Sequence, residues 1–379
     1  MDGLTPPHLA RDAPRAARRV AASAAARAAA EDRDGGFPAA DVAGLAAAGL
    51  LAAPIPVREG GGLGEEPGAA DLLAVLREVG AGSLALGRLY EGHVNALQLV
   101  ARYGTADQRA RLFADARAGH LFGVWNTEPP VNGLAMARDG DGLRLQGVKT
   151  YASGAGRVTR ALVTAREAPG DPPTMLLVPL EPGTRFDLSA WCAQGMRASA
   201  TGTLDFSGLE IAADAVLGRP DDYHREPHFS GGAWRFAAVQ LGGIEAVFDA
   251  WRGHVTATGR AGDPHQLARL GEGAIAVETA RLWVERAAAL VSGGELDAAR
   301  TVAFVNLARL AVERAGLDVL ERAQRSVGLA GFLREHPLER LSRDLATYLR
   351  QPAPDRALVT AAAVVAGAPG PAADLWSIE

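Results

Sequence analysis

Side chains able to move protons or hold a polar ligand are few and lie apart. One stretch of helical character carries Tyr90, Glu91 and His93. An imidazole and a carboxylate are the groups best suited to hold or transfer a proton near neutral pH. Taken alone, Glu91 reads as a surface or helix-capping carboxylate. A second group, Trp125-Asn126-Thr127 with Tyr151 and Ser153, falls in segments of strand character. Taken alone, Trp125 and Tyr151 read as sheet-core aromatics and Thr127 as a strand residue. The lone cysteine, Cys192, has no histidine near it in sequence. It reads as a small buried apolar residue rather than a nucleophile. The glycine-rich tract from Glu59 to Gly68 follows no strand and lacks a Gly-Lys-Ser/Thr ending. It reads as a loop, not a phosphate cradle.

The elements that must position these groups come in three blocks. Residues from about Ala10 to Gly119 are helical in pattern, with helices predicted over Ala39–Leu51, Ala69–Val79, Leu84–Tyr103 and Thr105–Ala118. Thr105 is the expected N-cap of the last and Gly119 its terminator. From Leu121 to Gly218 short apolar runs alternate with Gly, Pro and Asp, as strands and turns do. The expected inner face uses Leu121, Gly123 and Trp125, then Leu143, Leu145, Leu162, Val163, Met175, Leu177, Val178, Leu180, Leu204 and Phe206. Asp139-Gly-Asp-Gly marks a hairpin. Further helices are expected over Trp234–Trp251, His265–Leu290, Leu296–Leu320, Leu338–Leu349 and Asp355–Ala366. The predicted class is α+β, mainly α. It comprises an N-terminal helical domain (1–120), a central antiparallel β-barrel or sandwich (121–222) and a C-terminal four-helix bundle (223–379).

Composition narrows the function. A chain of 379 residues is long enough for two or three domains. Its 48% hydrophobic and 22% charged content is that of a soluble globular protein. A net charge of -5 argues against nucleic acid as a partner. One cysteine rules out an internal disulfide and suggests a reducing compartment, hence a cytoplasmic location. No apolar run reaches the ~18 residues of a membrane span. Arg11, Arg15, Arg18, Arg19 and Arg27 stand among alanines with Asp12, Glu31, Asp32 and Asp34 mixed in. That mixture predicts an amphipathic first helix rather than a transit peptide. Lys149 is the only lysine, which reads as compositional bias.

The order helical arm, β island, helical bundle resembles the acyl-CoA dehydrogenase superfamily of flavoproteins. The resemblance spans nearly the whole chain. It rests on Thr127-Glu128-Pro129, on Gly147-Val148-Lys149 with Tyr151 and Ser153-Gly154-Ala155, and on Gly195-Met196-Arg197-Ala198-Ser199. Val327-Gly328-Leu329-Ala330-Gly331-Phe332, Pro337-Leu338-Glu339-Arg340 and Arg343-Asp344 add to it. It implies FAD, with FMN as the alternative, lying between the β domain and the bundle. By the same resemblance Trp125, Asn126 and Thr127 would contact the flavin ring, and Tyr151 and Ser153 would cover one face of it. Arg260, Arg325 and Gly328 would hold the pyrophosphate and adenine partly from a neighbouring subunit. A homodimer or homotetramer follows, with a flavin reductase or an electron-transfer flavoprotein as redox partner and a small-molecule substrate.

The chain departs from the family where the chemistry is done. The glutamate that removes an α-proton usually stands eight residues after the Arg-Asp pair; here Pro352 falls there. A subset places it just before an arginine on the first bundle helix; here Trp234 precedes Arg235. The Phe after Arg260 is missing, Arg325 stands at a Gln position, and the usual Gly-Gly pair is Gly328-Leu329. A placed base contributes roughly 10²–10⁴-fold, so plain acyl-CoA desaturation is not expected unless Glu91 replaces it. A sister branch of two-component monooxygenases lacks that glutamate and often has a His-Asp-Pro stretch where Arg350-Gln351-Pro352 stands. It also uses a histidine before the β domain, for which His93 is the candidate. Three readings therefore stand: an atypical flavin-dependent oxidoreductase acting on an acyl thioester or another small molecule, a two-component flavin monooxygenase, and a non-catalytic subunit of a flavoprotein hetero-oligomer. In the first two, Arg350, Trp234 and Arg235 are expected to line the cavity with Glu91 and His93.

Overall fold

The computed structural model describes residues 12–63, 65–294 and 296–377; residues 1–11 of the expected helical arm and Gly64 of the glycine tract lie outside them. The arm is built from α1 (Ala13–Glu31), α2 (Ala39–Ala47), α3 (Glu65–Gly82), α4 (Leu84–Tyr103) and α5 (Ala106–Arg117). Helix α5 starts where a capping box forces it to. The Thr105 hydroxyl accepts from the Gln108 amide at 3.2 Å, and the Gln108 side chain accepts from the Thr105 amide at 2.9 Å. Glu65–Gly68, read as loop, instead opens α3; a proline within the first helical turn loses no intrahelical bond.

Ten strands follow: β1 (Phe122–Trp125), β2 (Ala135–Asp139), β3 (Gly142–Gln146), β4 (Val148–Ala152), β5 (Arg160–Ala165), β6 (Thr174–Pro179), β7 (Phe186–Asp187), β8 (Gly202–Asp205), β9 (Glu210–Ala212) and β10 (Val216–Leu217). They form three small sheets, ordered β1-β5-β6-β10, β2-β3-β9 and β4-β8-β7. The predicted hairpin joins β2 to β3 through Gly140 and Asp141. Pairing is antiparallel except between β1 and β5, which run parallel with Phe122 opposite Arg160. Of the expected inner face, every side chain named is buried except Leu180, which packs at its edge. Tyr151 is the exception to its own expectation. It is 65% exposed because the ladder between β4 and β8 slips a register after Lys149 and turns Tyr151 to φ 53. Cys192 is likewise exposed, in a loop, not buried.

The C-terminal half comprises α6 (His228–Gly231), α7 (Ala233–Ala257), α8 (Pro264–Gly293), α9 (Ala298–Val327), α10 (Pro337–Tyr348) and α11 (Pro354–Gly367). Helices α7, α8 and α9 pack on one another, α10 crosses α7, and α11 lies on α9. Helix α3 docks against α7 at backbone distance. A Cβ on Gly242 would fall 2.0 Å from the Arg77 carbonyl oxygen, and one on Gly80 would fall 2.3 Å from that of Val239. No helix among the described residues is long and apolar enough to cross a membrane.

His93 serves this framework. It is fully buried on α4, with Nε2 2.7 Å from the Leu51 carbonyl and Nδ1 accepting from the Phe122 amide at 3.1 Å. A neutral ring protonated on Nε2 satisfies both contacts. Burial pushes the His93 pKa down to about 4 from 6.5. The unfolded chain therefore takes up a proton that the folded chain refuses as pH falls through that window, and stability declines. We expect wild type to lose roughly 2 kcal/mol more than His93→Gln between about pH 7 and about pH 5, as read from urea denaturation midpoints. Parallel pH dependence of the two proteins would contradict it.

Candidate active site

Two places gather the candidate residues. The first is a ledge on the β region, built around a buried ammonium. Lys149 has no solvent exposure, and its three hydrogens meet the Glu128 carboxylate at 2.5 Å, the Thr164 hydroxyl at 3.0 Å and the Asn126 carbonyl at 3.2 Å. Thr164 in turn donates to the Asn126 side-chain oxygen at 2.5 Å. Burial lowers the Lys149 pKa, and the Glu128 carboxylate opposes the shift. This knot ties Lys149 to Asn126 and Glu128, and the register shift that spans Tyr151 follows directly after Lys149.

Around it the ring-binding candidates come together. The Trp125 indole is buried and donates to the Ser153 carbonyl at 3.0 Å. The Thr150 amide donates to the Thr127 carbonyl at 2.9 Å. Thr127 is exposed, and its own amide donates to no backbone carbonyl among the described residues. Thr201, which the sequence did not single out, donates its hydroxyl to Ser153 at 3.1 Å. One hydroxyl carries one hydrogen, so Ser153 keeps its own to donate outward. Trp191 meets the Tyr151 ring edge-on at 6.3 Å. An exposed aromatic held in an unfavourable backbone conformation beside two outward hydroxyls and an unused amide suits a planar heterocycle with acceptor atoms on its edge. These residues fit a flavin ring.

Arg260, Arg325 and Gly328 form a separate group at the C-terminal end of α9. Arg260 donates to the Ser326 carbonyl at 3.2 Å, Arg325 points outward to Glu321 at 3.3 Å, and Gly328 turns the chain at φ 73. Among the described residues no hydrogen bond or ion pair joins this group to the ledge.

The second place is a cavity of about 500 Å³. Its floor is α4 (Glu91, Asn95, Leu99, Tyr103) and Val124 of β1, immediately before Trp125 of the ledge. One wall is the segment from Tyr223 to Phe236; the other is α9 (Val302, Asn306, Arg309) with the Pro352–Thr360 segment. Glu91 is buried, not a surface carboxylate: its Oε2 accepts from Arg88 at 2.5 Å, and its Oε1 accepts from the Asn95 amide. Asn95 also accepts from Arg235 Nε. The Tyr223 hydroxyl is pushed up to about 12 by burial and is a neutral donor at physiological pH.

Placement sorts the remaining candidates. Pro352 and Arg235 line the cavity. Trp234 does not: one residue along α7 turns it by about 100° into full burial, where its indole nitrogen has no partner among the described residues. Arg350 does not either; it lies two residues beyond α10, exposed, pairing with Glu313 at 3.1 Å. His93 lies two residues from Glu91, on the far side of α4 from the cavity, with both nitrogens held by backbone. Asn95, Tyr223, Asn306 and Arg309 were not singled out from sequence. The i, i+4 and i, i+7 spacing of Val302, Asn306 and Arg309 is the one signal that puts the last two on a shared face.

Comparison with known proteins agrees with this architecture. The chain matches "Acyl-CoA dehydrogenase, N-terminal domain" over residues 10–120 and "Acyl-CoA dehydrogenase, C-terminal domain" over residues 226–349. It is 27% identical over 337 residues to the mitochondrial short-chain specific acyl-CoA dehydrogenase of Bos taurus, covering 83% of this chain and 79% of that one. It is also 27% identical over 369 residues to a dibenzothiophene monooxygenase of Rhodococcus erythropolis, covering 88% of each. The FMN-bound TdsC of Paenibacillus sp. A11-2 superposes with a TM-score of 0.82 over 97% of this chain and 100% of its own, at 18% identity, which shows a shared fold. The chain belongs to the acyl-CoA dehydrogenase superfamily and is, with it, a flavin-dependent oxidoreductase.

Removing the ledge's donors should show in cofactor retention. Thr127→Val combined with Ser153→Ala is expected to lower the flavin-to-protein ratio after desalting several-fold, with the far-ultraviolet circular dichroism unchanged. An unaltered ratio removes both residues from the flavin site.

Proposed function

We propose that this chain is the oxygenating component of a two-component flavin-dependent monooxygenase, acting on a small molecule rather than desaturating a fatty acyl-CoA. The observation that carries this reading is the state of the carboxylates in the cavity. Pro352 lines it at the family's base position and has no titratable group. Glu91 has both oxygens already accepting hydrogen bonds, one from a guanidinium. Both partners, Arg88 and Asn95, lie on α4 and hold the Glu91 carboxylate against its own helix. A reduced flavin, when bound, supplies the electrons and the site at which oxygen is activated. The protein's own residues then have to orient and exclude. The Thr127 amide and Ser153 hydroxyl orient the ring edge, and Tyr151 covers a face. Asn95, Tyr223 and Asn306 offer hydrogen bonds to a substrate lying against Val124.

The Rhodococcus relative, itself a dibenzothiophene monooxygenase, spans 88% of this chain and supports the reading. Arg260 has no aromatic neighbour following it, and Arg325 is exposed and paired within its own helix. A weak adenine-side site favours FMN over FAD, delivered in reduced form by a separate flavin reductase. A second reading has one observation in its favour: Glu91 is buried in the wall of the same cavity as Pro352 and would be a displaced base for an acyl thioester.

Stopped-flow absorbance separates the two. Protein loaded with reduced FMN and mixed with oxygenated buffer is expected to show a transient species, distinct from oxidised and reduced flavin, that lasts for seconds. Immediate return to oxidised flavin, together with bleaching of oxidised flavin by an acyl thioester, would establish the Glu91 reading instead. A homo-oligomer belongs to the same proposal, since Ile275 and Leu282, a heptad apart on α8, are exposed at 69% and 53%. Sedimentation velocity is expected to give a dimer or tetramer; a flavin-loaded monomer would overturn this.

A further inference from the structure

The cavity is cationic in a chain that is acidic overall. Three arginines, Arg235, Arg309 and Arg356, line it against two glutamates, Glu91 and Glu226. Both glutamates have partners of their own, a guanidinium for Glu91 and, among the described residues, only neutral donors for Glu226. Glu91 is bonded by Arg88 and Asn95, and Glu226 accepts from the Ser230 amide at 3.0 Å at the start of α6. Arg235 is tied to Asn95. Arg309 and Arg356 stand differently, on the wall formed by α9 and α11.

Arg309 follows Val302 and Asn306 on the cavity face of α9. Its guanidinium carries five N–H donors, and one of its nitrogens donates to the Pro352 carbonyl at 2.5 Å. Its carbon lies 5.9 Å from the centre of the Phe236 ring, which holds the plane in place. No carboxylate among the described residues forms an ion pair with it, and Glu313, whose charge it feels, is paired with Arg350. Arg356 lies in the first turn of α11, four residues beyond the carbonyl that Arg309 holds, and no acidic partner among the described residues reaches it either. Arg356 is exposed, whereas Arg309 is half-buried, and a partly desolvated guanidinium without an ion-pair partner is costly unless a ligand supplies one.

We infer that the substrate carries an oxyanion, a carboxylate or an equivalent acidic group, which docks on Arg309 and Arg356 while the oxidisable end points to Val124 and the ledge. This rests on the reading of the cavity as the substrate site. A guanidinium fork suits a planar carboxylate bidentately, and burial beside Phe236 and Val302 makes the interaction stronger than on an open surface.

The test uses a matched pair of probes that differ only in charge, naphthalene-2-carboxylate and naphthalene-2-carboxamide, titrated by calorimetry into the full chain with and without FMN. The carboxylate is expected to bind roughly ten- to a hundredfold more tightly than the amide. The ratio should fall towards one in Arg309→Met, fall in part in Arg356→Gln, and stay well above one in Arg309→Lys. The ratio is the readout because loss of the Pro352 contact would weaken both probes alike. Equal affinities in wild type, no carboxylate binding at millimolar concentration, or a ratio untouched by Arg309→Met and Arg356→Gln would each overturn the inference. Oxygen reactivity of the reduced flavin is recorded on the same samples. A charge-selective cavity without lasting oxygen chemistry would leave the anion site standing and remove the monooxygenase reading; the reverse pattern would remove this inference alone.

Discussion

A single buried ammonium organises the site. Lys149 is the only lysine in a chain whose other basic residues are all arginine or histidine. An ammonium without solvent must use every hydrogen and find a counter-charge, or it loses its proton. Glu128, Asn126 and Thr164 meet those three demands from two different segments. An arginine would not replace it, because a planar five-donor fork cannot enter a space built for three tetrahedrally arranged acceptors. The strand that ends at Trp125 is thereby tied to β4 and β5. The ledge lies beside this knot: the Thr127 amide donates to no backbone carbonyl among the described residues, and the β4 ladder shifts register between Lys149 and Ala152, with Tyr151 at φ 53.

A second tie sets the β region against the helices. The Met196 amide donates to the buried Asp344 carboxylate at 2.7 Å, Arg340 pairs with the same carboxylate at 3.1 Å, and Arg343 reaches both Asp32 and the Gln194 carbonyl. Burial raises the Asp344 pKa, and Arg340, the Met196 amide and Arg343 oppose the shift. The Gly-Met-Arg and Arg-Asp stretches thus meet in space, and Gly195 has to be glycine there, since a Cβ would lie 2.0 Å from the Arg343 carbonyl oxygen. This contact holds α10 at the angle from which the Pro352 segment turns into the cavity wall.

Much of the helical fold was legible because its signals are local. Thr105 with Gln108, and Pro264 after Asp263, mark helix starts that involve no distant residue. Strand pairing is not local, and nothing in the alternation of Val124 and Trp125 indicates that β1 runs parallel to β5. Candidate site residues divided the same way. Family resemblance named the ledge residues as flavin contacts, and the fold brings Trp125 to Ser153 and Thr127 beside β4. The cavity was half readable. Glu91 and His93 were equally plausible by type, but two residues on a helix face opposite ways, and only packing shows which way is inward. Trp234 and Arg235 posed the same problem one residue apart. Cys192 and Tyr151 went wrong for a common reason: residue type speaks for burial only on average, and a slipped strand or a loop overrides it.

The proline corner at 352–354 bears on what chemistry the cavity can support. Pro352 and Pro354 flank Ala353, which is held at φ 51, a conformation unfavourable to any residue with a Cβ. The surroundings must over-determine it, and Arg309 does part of this by holding the Pro352 carbonyl. The result is a fixed, solvent-exposed stretch of cavity wall with no titratable side chain at Pro352 or Ala353. In a protein whose substrate loses a proton from carbon, the base would then have to come from another element, as Glu91 of α4 would. In one whose substrate is attacked at sulfur, nitrogen or an aromatic carbon by oxygen held on a cofactor, the wall's task is different: keep water out, fix the substrate's far end and leave its reactive end against β1. The Pro-Ala-Pro corner, braced by an arginine that also faces the cavity, gives that stretch of wall a fixed shape and no titratable group.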